Sequence, residues 1–194
     1  MKKALIGAGG FAREIMAHMG TELPCFVDDK YYNNEPNIFK LSDFNPLVFE
    51  VLVAIGDPKL RFDIIQRLPK DTKYFTFIHP SVLILDNNIE ISEGTIVCAG
   101  TILTTNIKIG KHSHLNLMTT VGHDTIIGDY FTTAPGAKIS GNCIIKDRVY
   151  IGTNASIKEK ITITDDVVIG LNSGVVKSID KSGVYVGTPT KQIK

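Results

Sequence analysis

The segment GAKISGNCIIKDRVYIGTNASIKEKITITDDVVIG, residues 136–170, places an isoleucine at 139, 145, 151, 157, 163 and 169, one every sixth residue. The phase runs backward through Thr133, Ile127, Val121, Leu115, Ile109, Leu103, Val97, Ile91 and Leu85, and forward to Val175. Fifteen of these sixteen positions are branched aliphatics. Neither a helix of period 3.6 nor a strand of period 2 holds such a phase over that length, so the segment is a solenoid of short strands and turns.

The position after the aliphatic is often small or turn-forming, as at Gly110, Asn116, Gly122, Gly128, Gly152 and Gly170. The position two before it is small or apolar, as at Thr95, Thr101, Ala137, Cys143 and Ala155. This is the pattern of a left-handed parallel β-helix, in which three hexads form one triangular coil and one aliphatic per hexad points inside. Sixteen hexads predict about five coils. Such a column explains its own stability, so chemistry is sought where the pattern breaks.

The residues before the repeat read differently. Ala4-Leu5-Ile6 is a strand running into Gly7-Ala8-Gly9-Gly10, and Phe11, Ile15, Met16 and Met19 follow at helical spacing up to Gly20. Cys25–Val27 and Phe49–Ile55 read as further strands, Pro58 opens a second helix, and Tyr74–Ile78 supplies a last strand. The expected organisation is an α/β, Rossmann-like βαβ domain over 1–78, then a left-handed parallel β-helix over 79–194. The loop Gly7-x-Gly9-x-x-Ala12, with Asp28 farther on, fits the dinucleotide fingerprint. So short a unit holds only one mononucleotide half, however, and the loop's physical content is close backbone approach and amides that favour an anion. Glycines serving only tight packing are the plain alternative.

With 21 Lys+Arg against 20 Asp+Glu the chain offers no global charge for nucleic acid or an anionic membrane. No apolar run reaches transmembrane length. Three isolated cysteines give neither a disulfide framework nor a cysteine zinc site, and a reduced, cytoplasmic setting is expected.

The polar break in the repeat is Lys111–Asn116 with Val121-Gly122-His123-Asp124, holding three of the five histidines. His123, just past Gly122, projects outward. Acyl transfer from a thioester needs a base for the acceptor's proton, and an imidazole with an unperturbed pKa of about 6.5 suits that task. Asp124 holds the ring only if the chain turns a corner there, because neighbours on a strand face opposite ways.

The chain resembles the NeuD/PglD-type sugar acetyltransferases, a family of homotrimers that joins a small Rossmann-like domain to a left-handed β-helix. The resemblance rests on Gly7-Ala8-Gly9-Gly10, Asp28-Asp29, Ala54-Ile55-Gly56, His79-Pro80-Ser81, Asn116, His123-Asp124 with Ile127-Gly128-Asp129, and Gly187-Thr188-Pro189-Thr190-Lys191. It implies His123 as general base with Asp124 as its acidic neighbour, and a sugar nucleotide lying on Gly9, Gly10, Asp28, Asp29 and Gly56. It further implies acetyl-CoA between subunits near Asn116, Thr132, Ala134, Gly141 and Lys191, and no metal. Some members carry a second histidine where this chain has Thr132. The implied reaction is N-acetylation of a UDP- or dTDP-linked 4-amino-4,6-dideoxy sugar for bacterial surface glycans. O-acetylation of sialic acid and a non-catalytic sugar-nucleotide-binding solenoid stand as alternatives. A zinc site of His112, His114 and His123, as in γ-type carbonic anhydrases, is disfavoured because the three occupy different phases of the hexad.

Overall fold

A computed structural model describes all residues, Met1–Lys194. The first unit is β1 (Lys2–Ile6), α1 (Gly10–Met19), β2 (Cys25–Val27), β3 (Ile38–Lys40), β4 (Phe49–Val53), α2 (Pro58–Arg67) and β5 (Lys73–Tyr74). Its parallel sheet has the order β3-β2-β1-β4-β5. The period of two in β1 explains the layers: Leu5 packs with Ala12 and Ile15 of α1, while Ala4 and Ile6 join Val51, Val53 and Ile64 on the α2 side. Gly20 ends α1 at φ 64°, and Asp57 caps α2 by accepting the Leu60 amide at 2.8 Å. Strand β3 is an addition to the sequence reading, since Ile38-Phe39-Lys40 is a short, largely exposed edge with no apolar alternation to announce it.

The segment Tyr74–Ile78 is divided rather than one strand. Tyr74 pairs with Val51 in the first sheet, whereas Phe77 and Ile78 pair with Ile96 and Val97 as the first rung of the solenoid.

The solenoid has three faces of parallel strands, except that the last strand of the first face, Lys191–Gln192, runs antiparallel to Gly183–Val186. The first holds strands from Phe77–Ile78 through His114–Leu115 and Thr132–Thr133 to Lys191–Gln192; the second runs from Leu83–Ile84 to Gly174–Val175; the third runs from Ile89–Ile91 to Thr162–Ile163. Inside runs a continuous column from Val97 to Val175. Thr133 breaks it without harm, because its hydroxyl accepts the Asn116 amide at 2.9 Å and meets the Thr119 hydroxyl at 2.7 Å. Two expectations about phase are corrected. Leu85 is 64% exposed, since Ile78 and Ile84, not Leu85, stack on Val97 and Leu103, and an extra residue before Ile91 restores the phase. The residue that turns each corner is the third after the aliphatic, not the first: φ is positive at every sixth residue from Gly94 to Asn172, mostly in non-glycine residues such as His112, Asp124 and Asn142. Glycines after the aliphatic serve stacking instead, as a Cβ on Gly122 would lie 2.5 Å from the Gly141 nitrogen of the next coil.

The N-terminal domain docks on the first face. Phe77, Ile96 and Cys98 share an apolar cluster with α1, and α2 meets His112, His114 and Tyr130. In a triangular prism the edge between the second and third faces lies opposite the first face. That edge carries His123.

Candidate active site

His123 follows the second-face strand Thr120–Val121, and Asp124 takes the corner with φ 59°. The corner lets the carboxylate reach back, with Asp124 Oδ2 2.7 Å from His123 Nδ1. Asp124 Oδ1 accepts the Asn106 side-chain amide at 2.6 Å. Those hydrogen bonds, from Asn106 first and then His123, hold the Asp124 carboxyl below the usual carboxylate range. An ionised carboxylate at Nδ1 fixes the tautomer that leaves the Nε2 lone pair free. The imidazole lies over Gly141 of the next coil, where a Cβ would come within 2.6 Å of Nε2. No group of the chain accepts the Gly141 amide hydrogen. With its side chain 56% exposed, His123 has a floor but no walls within one chain.

The second group of residues lies at the carboxyl ends of the first sheet. Strand order reverses between β1 and β4, and the loops after these strands, carrying Gly9-Gly10 and Gly56, flank that switch point, where open α/β sheets bind ligands. The glycines there differ in purpose. Gly7 has φ 105° and a Cβ on it would sit 3.1 Å from the Ala54 carbonyl, so the fold itself demands glycine. A Cβ on Gly9 or Gly56 would meet nothing within 4 Å. Neither strain nor packing requires glycine at those two, and the amides of Gly9, Gly56 and Asp57 have no acceptor in the chain. Free backbone room beside free amides suits an anionic ligand. Asp28, at the end of β2, pairs with Arg67 at 2.5 Å, and Asp29 accepts the Ser42 amide at 3.1 Å. Each is thereby held below the ordinary carboxylate range, Asp28 chiefly by Arg67 and Asp29 by Ser42. A groove of about 480 Å³ between α1 and residues 35–38, lined by Ala8, Arg13 and Glu35, runs from this loop along the domain.

The acetyl-CoA residues expected from sequence are dispersed. Gly141 lies under His123, whereas Asn116 and Ala134 occupy the edge between the first and second faces, and Lys191 is exposed at the far end of the first face. Thr132 is corrected outright. As an outward residue of the first face it is covered by the docked domain and is 4% exposed, and its hydroxyl donates to the Gly56 carbonyl at 3.0 Å. It has no hydrogen left for a thioester. His112 and His114 are also buried under the docked domain, so they do not converge with His123. Glu14, His18 and Cys98 form a mixed group of possible metal ligands, with Glu14 Oε1 3.6 Å from His18 Nε2, in the seam between the domains rather than near His123.

Sequence reasoning missed Arg61. It lies on the buried stripe of α2 with Pro58 and Ile64 and is 0% exposed. A charged residue in phase with an apolar stripe was the available signal.

Residues 2–68 match the PglD N-terminal domain family. A GDP-perosamine N-acetyltransferase of Escherichia coli O157:H7 is 31% identical over 165 residues, 77% of this chain and 74% of that protein. The chain belongs to the NeuD/PglD-type family of sugar acetyltransferases. WeeI from Acinetobacter baumannii AYE has a similar structure, with a TM-score of 0.90 and 34% identity over the full length of both chains. The acetyltransferase domain of PglB from Neisseria gonorrhoeae FA1090, solved in complex with acetyl coenzyme A, aligns over 99% of this chain and 98% of its own at a TM-score of 0.84 and 25% identity. Both domains are thus present in the arrangement of this acetyltransferase family. No helix is long and apolar enough to cross a membrane.

Proposed function

We propose that the chain transfers the acetyl group of acetyl-CoA to the amino group of a nucleotide-linked 4-amino-4,6-dideoxy sugar, with His123 as general base. The observation that carries the reading is the His123–Asp124 pair, with Nδ1 held by the carboxylate and Nε2 exposed over Gly141. In the reaction the free amine attacks the thioester carbonyl, and Nε2 takes the proton that the nitrogen sheds as the C–N bond forms. The unused Gly141 amide supplies a donor for the oxyanion. Collapse of the adduct breaks the C–S bond, and the proton held on Nε2 passes to the departing sulfur.

The nucleotide sugar is assigned to Gly9, Gly10, Asp28, Asp29 and Gly56, whose free amides and open backbone suit its phosphates. These loops stand on the first face, away from the His123 edge, so the reading requires a second copy of the chain. A homotrimer in which the loops of one copy face the His123 edge of its neighbour meets that need. Asn116, Ala134 and Lys191 are assigned to the same acetyl-CoA groove between copies. The E. coli relative named for a GDP-linked amino sugar adds GDP to the UDP and dTDP carriers expected from sequence.

A thiol-release assay with acetyl-CoA against GDP-, UDP- and dTDP-linked 4-amino sugars, with sialic acid as contrast, tests this. Turnover on an amino sugar, lost in His123→Ala, is the expected result. Turnover on sialic acid alone, or none on any acceptor, overturns the assignment.

A further inference from the structure

Arg61 is fully buried and has no carboxylate partner, yet all five of its guanidinium hydrogens have acceptors. Nε donates to the His112 carbonyl at 2.8 Å. Nη1 donates to the carbonyls of Ile55 at 2.6 Å and Gly56 at 3.2 Å, and lies 3.2 Å from His114 Nδ1. Nη2 donates to the carbonyls of Tyr130 at 2.8 Å and Phe131 at 3.1 Å and to the Thr132 hydroxyl at 2.8 Å. That hydroxyl in turn donates to the Gly56 carbonyl at 3.0 Å. One side chain therefore ties the loop after β4 to five residues of the solenoid.

Burial pulls the Arg61 guanidinium down to about 9, still charged at neutral pH, and the Asp57 carboxylate, which makes no hydrogen bond to it, offsets only part of that cost. An apolar residue in its place would leave these carbonyls without a donor. What an apolar residue cannot do is orient peptide planes. In a trans peptide the carbonyl and the following N–H point in opposite directions. Arg61 draws the carbonyls of Ile55 and Gly56 toward the seam, so the amides of Gly56 and Asp57 point away from it. Those are two of the amides left without an acceptor in the chain.

We propose that Arg61 is a positioning residue that aims the Gly56 and Asp57 amides at the anionic part of the nucleotide sugar. This rests on the reading above, in which the loop binds that substrate. His114 completes the device: burial first, and then the Arg61 charge, hold its imidazole well below its ordinary value, so Nδ1 stays an acceptor for the guanidinium.

The test compares Arg61→Met and Arg61→Lys with the parent enzyme, measuring the KM of each substrate, kcat, and calorimetric binding of the free nucleoside diphosphate. Arg61→Met is expected to fold and to raise the nucleotide-sugar KM about tenfold, roughly the loss of one to two net hydrogen bonds, with the acetyl-CoA KM unchanged. Nucleoside diphosphate binding weakens in parallel, and Arg61→Lys, with a shorter reach and fewer donors, falls between. A folded Arg61→Met whose nucleotide-sugar KM stays within twofold overturns the proposal, as does an equal rise in both KM values. Should Arg61→Met fail to fold, Thr132→Val removes one tether on the Gly56 carbonyl and is expected to raise the nucleotide-sugar KM alone; no change would be equally contrary. Failure of the proposed function shows itself separately, as parent enzyme without turnover on any nucleotide sugar.

Discussion

His112 and His114 lie within a dozen residues of His123, in the same polar break of the repeat, yet the fold sends them to opposite sides of the prism. The first two are buried under the docked domain, where His112 packs between Tyr74 and Tyr130 and His114 sits against Phe11 and Arg61. His123 turns outward on a bare edge with a carboxylate at its back. The first face is thus given over to cohesion between domains, and the opposite edge is left open for the chemistry proposed for His123. In a solenoid a side chain's surroundings follow from its face and from what covers that face, not from its neighbours in sequence.

The comparison can be broken at several strengths. Placing a carboxylate in the column common to both regions, as Ile139→Asp or Ile151→Asp, buries an unpaired charge and should abolish the folded state, read as loss of the cooperative melt. A folded variant would mean that these residues do not point inward. On the edge, His123→Ala should keep its melting temperature and lose about 10²- to 10⁴-fold in kcat, the usual contribution of a general base. Activity within a few-fold of the parent would remove His123 from the mechanism.

In the seam, pH is the probe. Burial lowers His112 to about 4, so the neutral form is favoured in the folded state. As pH falls below about 6.5, the unfolded chain takes up a proton that the folded chain resists, and stability drops until the pH reaches the folded value. His112 alone should cost about 2 kcal/mol between pH 6.5 and pH 5. A denaturant titration of His112→Phe should show a shallower acid loss than the parent, and identical slopes would contradict the assignment. The smallest effect is expected for Asp124→Asn, which keeps the shape but not the charge and should lower kcat about tenfold at unchanged acetyl-CoA KM, as steady-state kinetics can check.

The solenoid was legible because one spacing, from Ile139 to Ile169, admits a single architecture, and the corner at Asp124 was legible as the condition for the His123 contact. The phase of Leu85 was not, because one inserted residue leaves the apolar pattern intact while shifting which side chain stacks. Thr132 misled for a related reason. Its outward position is plain from the hexad, but the domain that covers it is set by contacts far away in sequence, through Arg61 and Gly56. The same holds for His112 and His114. Periodicity reports what is inside the coil, and docking on its outside leaves only faint marks, such as an arginine on an apolar stripe.

If the sugar-nucleotide loops of one copy serve the His123 edge of another, two inactive chains should complement each other within one oligomer. His123→Ala and Gly56→Trp, which fills the open loop, would be co-expressed with different tags, the mixed oligomers isolated, and thiol release measured. Every mixed trimer, of either composition, places an intact loop against an intact His123 in one of its three sites, so the isolated mixed oligomers should recover roughly a third of parental activity although each variant alone is inactive. Mixed oligomers as inactive as their components would show that each chain serves its own histidine, contrary to the separation of the first face from the opposite edge.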